Sequence, residues 1–135
     1  MTQEWKRWIP LENIPTSMYF VSITEDSNCF KIKYNSENKM VTIHFKDSVL
    51  SYRSTDEGKL IKTWSQLNEK YGPEFYAQWS MFKQLNSDYL VWFPEQSCGI
   101  YEHYNPEHYI FKGNDIIIDV LSTYSPEITM TYSTK

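Results

Sequence analysis

Apolar and polar residues alternate with a period of two along four segments in the first part of the chain. The segment CFKIKYN, at 29–35, shows this best, since its apolar rings and isoleucine face one way and its two lysines the other. Such alternation is typical of a strand with one solvated face. The clusters TEDSN and NSENK are turn signals, and connections this short suit antiparallel pairing. The pattern predicts an antiparallel meander with strands at about 19–24, 30–34, 41–46 and 49–53.

A helical period follows the meander in residues 54–73. Ser54 and Glu57 have the spacing of a capping box, and Gly72 followed by Pro73 is a typical helix end. Apolar residues between these signals recur every three or four positions and form one stripe. One stripe requires one partner surface, so we expect a helix that lies across one face of a sheet. The residues expected to be buried beneath it are Leu60, Trp64 and Leu67.

The second half of the chain contains shorter elements. Alternation predicts a strand at about 77–84, and Ser87 with Asp88 predicts the start of a short helix that Pro94 ends or bends. Apolar residues at both parities in 116–121 predict a central strand that is covered on both faces. Further strands are expected at 109–111 and 128–133.

Two stretches have no regular period. Residues 1–17 contain two prolines and are expected to form an irregular arm that its aromatic and aliphatic side chains hold against the core. Residues 95–108 are expected to form a loop, and loops of this length in compact domains are usually functional or disordered.

These elements predict an α+β fold with a single antiparallel sheet of about six to seven strands. One main helix packs on the sheet, and a second, shorter helix follows it. A chain of 135 residues is long enough for one domain with a core and too short for two ordinary domains. We therefore expect residues 1–135 to form a single domain, with 1–17 as its arm.

The net charge of −4 is unevenly distributed along the chain. Residues 73–135 carry three lysines against eight Asp and Glu, a net charge of −5. Such a field repels phosphate backbones and favours a basic protein partner, although an acidic surface also simply keeps a protein soluble. Direct binding of nucleic acid is therefore not expected.

The cysteines and the N-terminal residues indicate the cellular compartment of the protein. Cys29 and Cys98 are far apart and lack the spacing of metal ligands, so both are expected to be free thiols. The N-terminal residues lack the apolar run of a secretory signal, and no apolar run reaches the ~20 residues that cross a bilayer. These features predict a cytoplasmic protein that does not enter a membrane.

Candidate chemical groups are concentrated in the predicted loop. His103, Glu107 and His108 are close in sequence, but Pro106 rules out the regular helix that would place two histidines on one face. Cys98 near either histidine would make a thiol–imidazole pair, but no orienting third group is indicated. We therefore predict no metal, no cofactor and no catalytic residue.

The same loop combines carboxylates with aromatic rings. Rings act as anchors in protein interfaces, and carboxylates steer and pair with a basic partner. The competing interpretation is an ordinary solvated loop beside core aromatics. The residues predicted to contact a partner are Glu95, Tyr101, Glu102, Tyr104 and Glu107.

Four short motifs lie between residues 50 and 128. They are Tyr52-Arg53 before Asp56 and Glu57, Trp79 and Phe82 before Asn86 and Ser87, Trp92-Phe93 before Glu95 and Ser97, and His108-Tyr109 before Asp115, Asp119 and Val120. In these motifs the chain resembles small bacterial immunity proteins, including those of contact-dependent growth inhibition systems. The resemblance implies a protein that binds and neutralises the toxic C-terminal domain of a neighbour's toxin, often a nuclease.

Two other functions fit the same residues. The aromatic and histidine-containing loop at 98–108 would suit a small enzyme or a ligand-binding module. A structural adaptor without a toxin partner would need none of these groups. A toxin gene immediately upstream favours the immunity function, whereas a metabolic operon favours the enzyme or ligand-binding module.

Overall fold

The computed structural model describes residues 3–27, 29–100 and 105–132, which form an α+β fold in three layers. A five-stranded antiparallel sheet lies in the middle, with helices on one face and a four-stranded antiparallel sheet on the other. The predicted α+β class is confirmed. The prediction of one sheet with six or seven strands is wrong, because the strands divide between two sheets that cover each other's apolar faces.

The central sheet has the strand order β1-β6-β7-β8-β5, and the outer sheet has the order β2-β3-β4-β9. The strands are β1 Glu4–Arg7, β2 Tyr19–Asp26, β3 Cys29–Ser36, β4 Lys39–Lys46, β5 Val49–Asp56, β6 Met81–Leu85, β7 Glu107–Lys112, β8 Ile116–Ser122 and β9 Glu127–Tyr132. The helices are α1 Ile61–Tyr71, α2 Pro73–Ala77 and α3 Asp88–Gln96.

Aromatic side chains join the two sheets. The Phe45 ring packs edge-on against Tyr109 and Phe111, with ring centroids 5.6 and 5.9 Å apart. The Tyr34 hydroxyl crosses between the sheets to donate to the Lys112 carbonyl oxygen at 2.8 Å. The middle strands β7 and β8 are thus covered on both faces, which confirms the prediction of a central strand at 116–121.

The main helix begins later than its sequence predicts. Ser54 lies within β5, opposite Ile118 of β8, so it cannot cap a helix. A single 3₁₀ turn follows β5, and Asp56 caps it by accepting from the Gly58 N–H at 2.9 Å. The predicted helix end is confirmed, because Gly72 has a φ of +88° and Pro73 starts α2 instead.

The apolar stripe of α1 is only partly buried. Leu67 is buried as predicted, whereas Leu60 and Trp64 are partly covered at the edge of the core. The Trp64 ring packs edge-on against Tyr76 with centroids 4.3 Å apart, and its Nε1–H donates to the Glu57 carbonyl oxygen at 3.1 Å. The helix therefore covers one part of the central sheet and leaves the rest to α2 and α3.

The elements after α1 also differ in extent from the predictions. Residues 73–77 form α2, so the strand predicted at 77–84 is instead β6 at Met81–Leu85. The predicted start of α3 is confirmed, since the Ser87 hydroxyl oxygen accepts from the Leu90 N–H at 3.1 Å. Pro94 does not end α3, which continues to Gln96. Part of the predicted loop at 95–108 is therefore helix and strand.

The N-terminal segment contains a strand where the sequence predicts an irregular arm. Residues Glu4–Arg7 form β1 and extend the central sheet beyond β6. Trp5 packs edge-on against Phe82 at 5.5 Å between centroids, and Trp8 packs against Tyr109 at 5.1 Å. The aromatic side chains of the N-terminal segment hold it against the core, as the sequence predicts.

Three buried tyrosines make the fold sensitive to alkali. Burial raises the pKa values of Tyr34, Tyr76 and Tyr109, that of Tyr109 to about 12. Below pH ~10 these three tyrosines are protonated in both the folded and the unfolded protein. Between pH ~10 and ~12 they lose protons mainly in the unfolded protein. The free energy of unfolding is therefore expected to fall as the pH rises from about 10 towards 12. Urea denaturation at several pH values measures this loss. In Tyr109→Phe the loss should be smaller, and an equal loss would contradict the role of Tyr109.

Candidate functional site

Polar side chains cross the helix-covered face of the central sheet, where apolar residues would be the rule. Register places Gln84 of β6 opposite His108 of β7, and Asp119 of β8 opposite Arg53 of β5. The β6–α3 connection adds Ser87, which lies above β7 because α3 packs across that strand. Adjacent strands of one sheet thus bring together residues that are up to 66 positions apart in the sequence.

His108 lies at the centre of these polar groups and is 1% exposed. Its Nδ1 is 2.7 Å from the Ser87 Oγ, and its Nε2 is 2.7 Å from the Asp119 Oδ1. A tautomer with the proton on Nε2 satisfies every partner: Nε2–H donates to the carboxylate, and the Ser87 hydroxyl donates to Nδ1. The Ser87 oxygen at the same time accepts from the Leu90 N–H.

Arg53 completes the chain of hydrogen bonds. Its Nε–H donates to the Asp119 Oδ2 at 3.2 Å, so both carboxylate oxygens of Asp119 have partners. The guanidinium lies over the Tyr89 ring, 4.2 Å from its centroid. The Tyr89 hydroxyl is hydrogen-bonded to the Ser51 hydroxyl. We call Ser87, His108, Asp119 and Arg53 the polar network.

Ser87, His108 and Asp119 are the residue types of a hydrolase triad. A nucleophilic serine must be open to its substrate, but Ser87 is 1% exposed and its oxygen caps α3. We interpret the polar network as the support that fixes α3 on β7. The sequence does not favour a pair of Cys98 with His103 or His108. Both ring nitrogens of His108 are hydrogen-bonded to Ser87 and Asp119, and His103 lies outside the described residues.

The predicted partner-binding residues have separate positions. Glu95 is exposed on α3, and Glu107 is exposed at the start of β7, where its Oε2 is 3.1 Å from the Lys83 Nζ. The other three, Tyr101, Glu102 and Tyr104, lie outside the described residues. Side chains alternate along β7, so His108 faces α3, whereas Glu107 lies on the opposite face, where its Oε1 accepts from the hydroxyl of Tyr109, which packs on the outer sheet. Glu95 and Glu107 therefore belong to different faces of the central sheet.

Exposed apolar side chains lie on α3 and in the turn that follows it, and they are not among the predicted partner-binding residues. Val91 is 64% exposed, Trp92 46% and Ile100 65%. Together with Glu95 they make up what we call the α3 surface. The spacing of Val91 and Glu95 places both on one face of a helix, but the sequence alone does not show which face of α3 is buried.

A groove of about 920 Å³ opens between α1 and α3 over the central sheet. Its apolar part is formed by Trp5, Leu67 and Ile117, and its polar part includes Arg53 and Tyr89. No local sequence signal marks this groove, because it depends on how far apart α1 and α3 lie.

In residues 3–27, 29–100 and 105–132, no group of three or more His, Cys, Asp or Glu side chains is placed to hold a metal ion. Both cysteines are free thiols, as predicted. None of the described helices combines the length and the apolar character that crossing a membrane requires.

The α3 surface and the groove are thus the two candidate sites, and the polar network lies between them. The chain matches no protein-family model, no curated protein and no solved structure with which it was compared.

Proposed function

We propose that this protein is an immunity protein that binds the toxic domain of a cognate toxin, a nuclease, and neutralises it by covering its active site. The observation that carries the proposal is the α3 surface, where apolar side chains are exposed beside a carboxylate. Contiguous exposed apolar surface marks sites for protein partners.

Trp92 is the central anchor of this surface. Its ring is half exposed and is held by aromatic neighbours, with centroids 5.6 Å from Tyr89 and 6.5 Å from Phe93. A ring that is already ordered loses little conformational entropy when a partner covers it, and tryptophan is the residue most enriched among interface hot spots. Val91, the preceding residue of α3, adds an exposed apolar side chain.

The charge of the region suits a basic partner. Residues 84–111 contain four carboxylates, Asp88, Glu95, Glu102 and Glu107, and neither Lys nor Arg. A nuclease has a basic cleft because it must bind phosphates, so its active site would be attracted to this region. Glu102, Tyr101 and Tyr104 remain predicted contacts on the basis of sequence.

The polar network would present the α3 surface rigidly. Ser87 caps the helix, and His108 ties that cap to Asp119 in the central sheet. Binding surfaces built on supported helices are more precise than surfaces on loops. The resemblance to immunity proteins adds support, since Arg53, Ser87, His108 and Asp119 all belong to the motifs that carry it.

The proposal is tested with the purified toxin domain encoded by the gene immediately upstream. Trp92→Ala is expected to weaken binding by about 2–4 kcal/mol, the range of an interface hot spot. Tyr19→Ala is the matched control, because Tyr19 is 69% exposed on β2 of the outer sheet. Affinity is measured by calorimetry, and protection is measured in cells that express the toxin.

A second set of variants tests the role of charge. Replacing Glu95, Glu102 and Glu107 together with Lys should lower the association rate and reduce its salt dependence, whereas Glu37→Lys in the β3–β4 turn should change neither. Unchanged affinity in both Trp92→Ala and the triple variant would remove the α3 surface from the interface. Absence of binding by the unaltered protein would contradict the proposed function itself.

A further inference from the structure

Arg53 reaches into the groove between α1 and α3, on the side of the polar network away from the α3 surface. Its side chain is 54% exposed although its Nε–H is bonded to Asp119. Among the described residues, the two terminal nitrogens of this guanidinium have no hydrogen-bond partner. They are therefore available to a ligand that enters the groove.

The guanidinium is held in place before any ligand binds. Asp119 fixes its Nε–H, the Tyr89 ring lies against its face at 4.2 Å, and His108 fixes Asp119 in turn. An oriented guanidinium offers two parallel N–H donors that match the two oxygens of a carboxylate. Because the side chain is already ordered, binding costs little additional conformational entropy.

The rest of the groove favours a ligand with an apolar body. Trp5, Leu67 and Ile117 form its apolar part next to the central sheet, and Lys62 and Lys70 on α1 add two positive charges to that of Arg53. Three carboxylates of the lining, those of Glu69, Asp88 and Asp119, balance these charges and disfavour a ligand with several negative charges. The volume of about 920 Å³ falls in the range of small-molecule sites, ~300–1,000 Å³.

We propose that the groove binds a small monocarboxylic acid with an apolar or aromatic body. The carboxylate accepts from the terminal N–H groups of Arg53, and the body packs on Trp5, Leu67 and Ile117. This site rests on other residues than the α3 surface and stands independently of the proposed toxin partner.

The test uses 4-phenylbutyrate as the probe and 4-phenylbutyramide as its uncharged counterpart. Titration followed by amide NMR should shift signals of groove residues such as Thr63, Leu67 and Tyr89. The acid should bind at least about tenfold more tightly than the amide, since a charge-assisted bidentate contact is lost in the amide. Equal affinities for the acid and the amide, or no shifts at groove residues, would overturn the proposal.

Variants separate the guanidinium from the groove itself. Arg53→Gln should weaken binding of the acid about tenfold or more and leave the amide unaffected, and Arg53→Lys should fall between Gln and the unaltered protein. Thr63→Trp on α1 should abolish binding of both probes by filling the groove, with the polar network left intact. Glu37→Lys, far from the groove, is the control.

With two variants, the test remains decisive even if one of them does not fold. If Arg53→Gln fails to fold, Thr63→Trp and the comparison of acid with amide still decide the proposal. Retained binding of the acid in Thr63→Trp, or in a folded Arg53→Gln, would place the ligand elsewhere.

Discussion

Replacing Asp119 with Ala is expected to lower the free energy of unfolding by about 3 kcal/mol. The change removes the acceptor for the His108 Nε2–H, which is buried, and the partner of the Arg53 Nε–H. A donor left buried without an acceptor costs ~1–3 kcal/mol, and loss of one partner from a buried ion pair costs ~3–5 kcal/mol. The estimate lies at the lower end because Arg53 is half exposed and regains water.

Asp119→Asn is the matched variant for this prediction. Its amide oxygen can still accept from His108, whereas the charge that pairs with Arg53 is lost, so the loss of stability should be roughly half as large. Urea denaturation measures both variants. If Asp119→Ala and Asp119→Asn were equally destabilised, the ion pair with Arg53 would carry the effect, and if neither were, the polar network would not support the fold.

Replacing Phe111 with Ala is expected to be the most damaging change in the core, with a cost of about 3–5 kcal/mol. Phe111 is fully buried in β7, and its ring contacts Phe45 of the outer sheet at 5.9 Å and Trp8 of the N-terminal segment at 6.2 Å between centroids. Removing it opens a cavity where three parts of the chain meet, and close-packed sheets fill such a cavity only in part.

Phe111→Leu leaves a smaller cavity and should cost clearly less than Phe111→Ala. Tyr19→Ala, at an exposed position of the outer sheet, should change stability by less than about 0.5 kcal/mol. Thermal and urea unfolding of the three variants checks the order. A Phe111→Ala protein as stable as Tyr19→Ala would contradict the packing between the sheets.

The distribution of charge shows which features of the candidate site can be predicted from the sequence. The acidic bias of residues 73–135 follows from the sequence alone, because formal charge depends only on residue type. The exposure of a side chain also depends on packing, so the exposed positions of Val91 and Ile100 follow from the tertiary structure. The polar network was equally hidden, since Arg53, Ser87, His108 and Asp119 meet only through strand pairing.

Local signals in the sequence determined the type of most elements and some of their ends. Strict alternation located β3 and β4, Ser87 marked the start of α3, and Gly72 marked the end of α1, because each depends on the backbone and side chains of a few neighbouring residues. The capping-box spacing at Ser54 failed for a non-local reason: pairing with β8 extends β5 through Asp56.

Only the tertiary structure decided which strands share a sheet. After β4 the chain leaves the meander, and β5 pairs with β8 while β9 takes the place beside β4. A period of two in the sequence identifies the apolar face of a strand, but it does not identify the surface that covers this face. Two sheets with one apolar face each bury these faces by packing on each other, whereas a single sheet would leave more apolar surface exposed to water. The pairing of β5 with β8 also placed Arg53 beside Asp119, next to the groove. The candidate sites therefore follow from packing between distant segments.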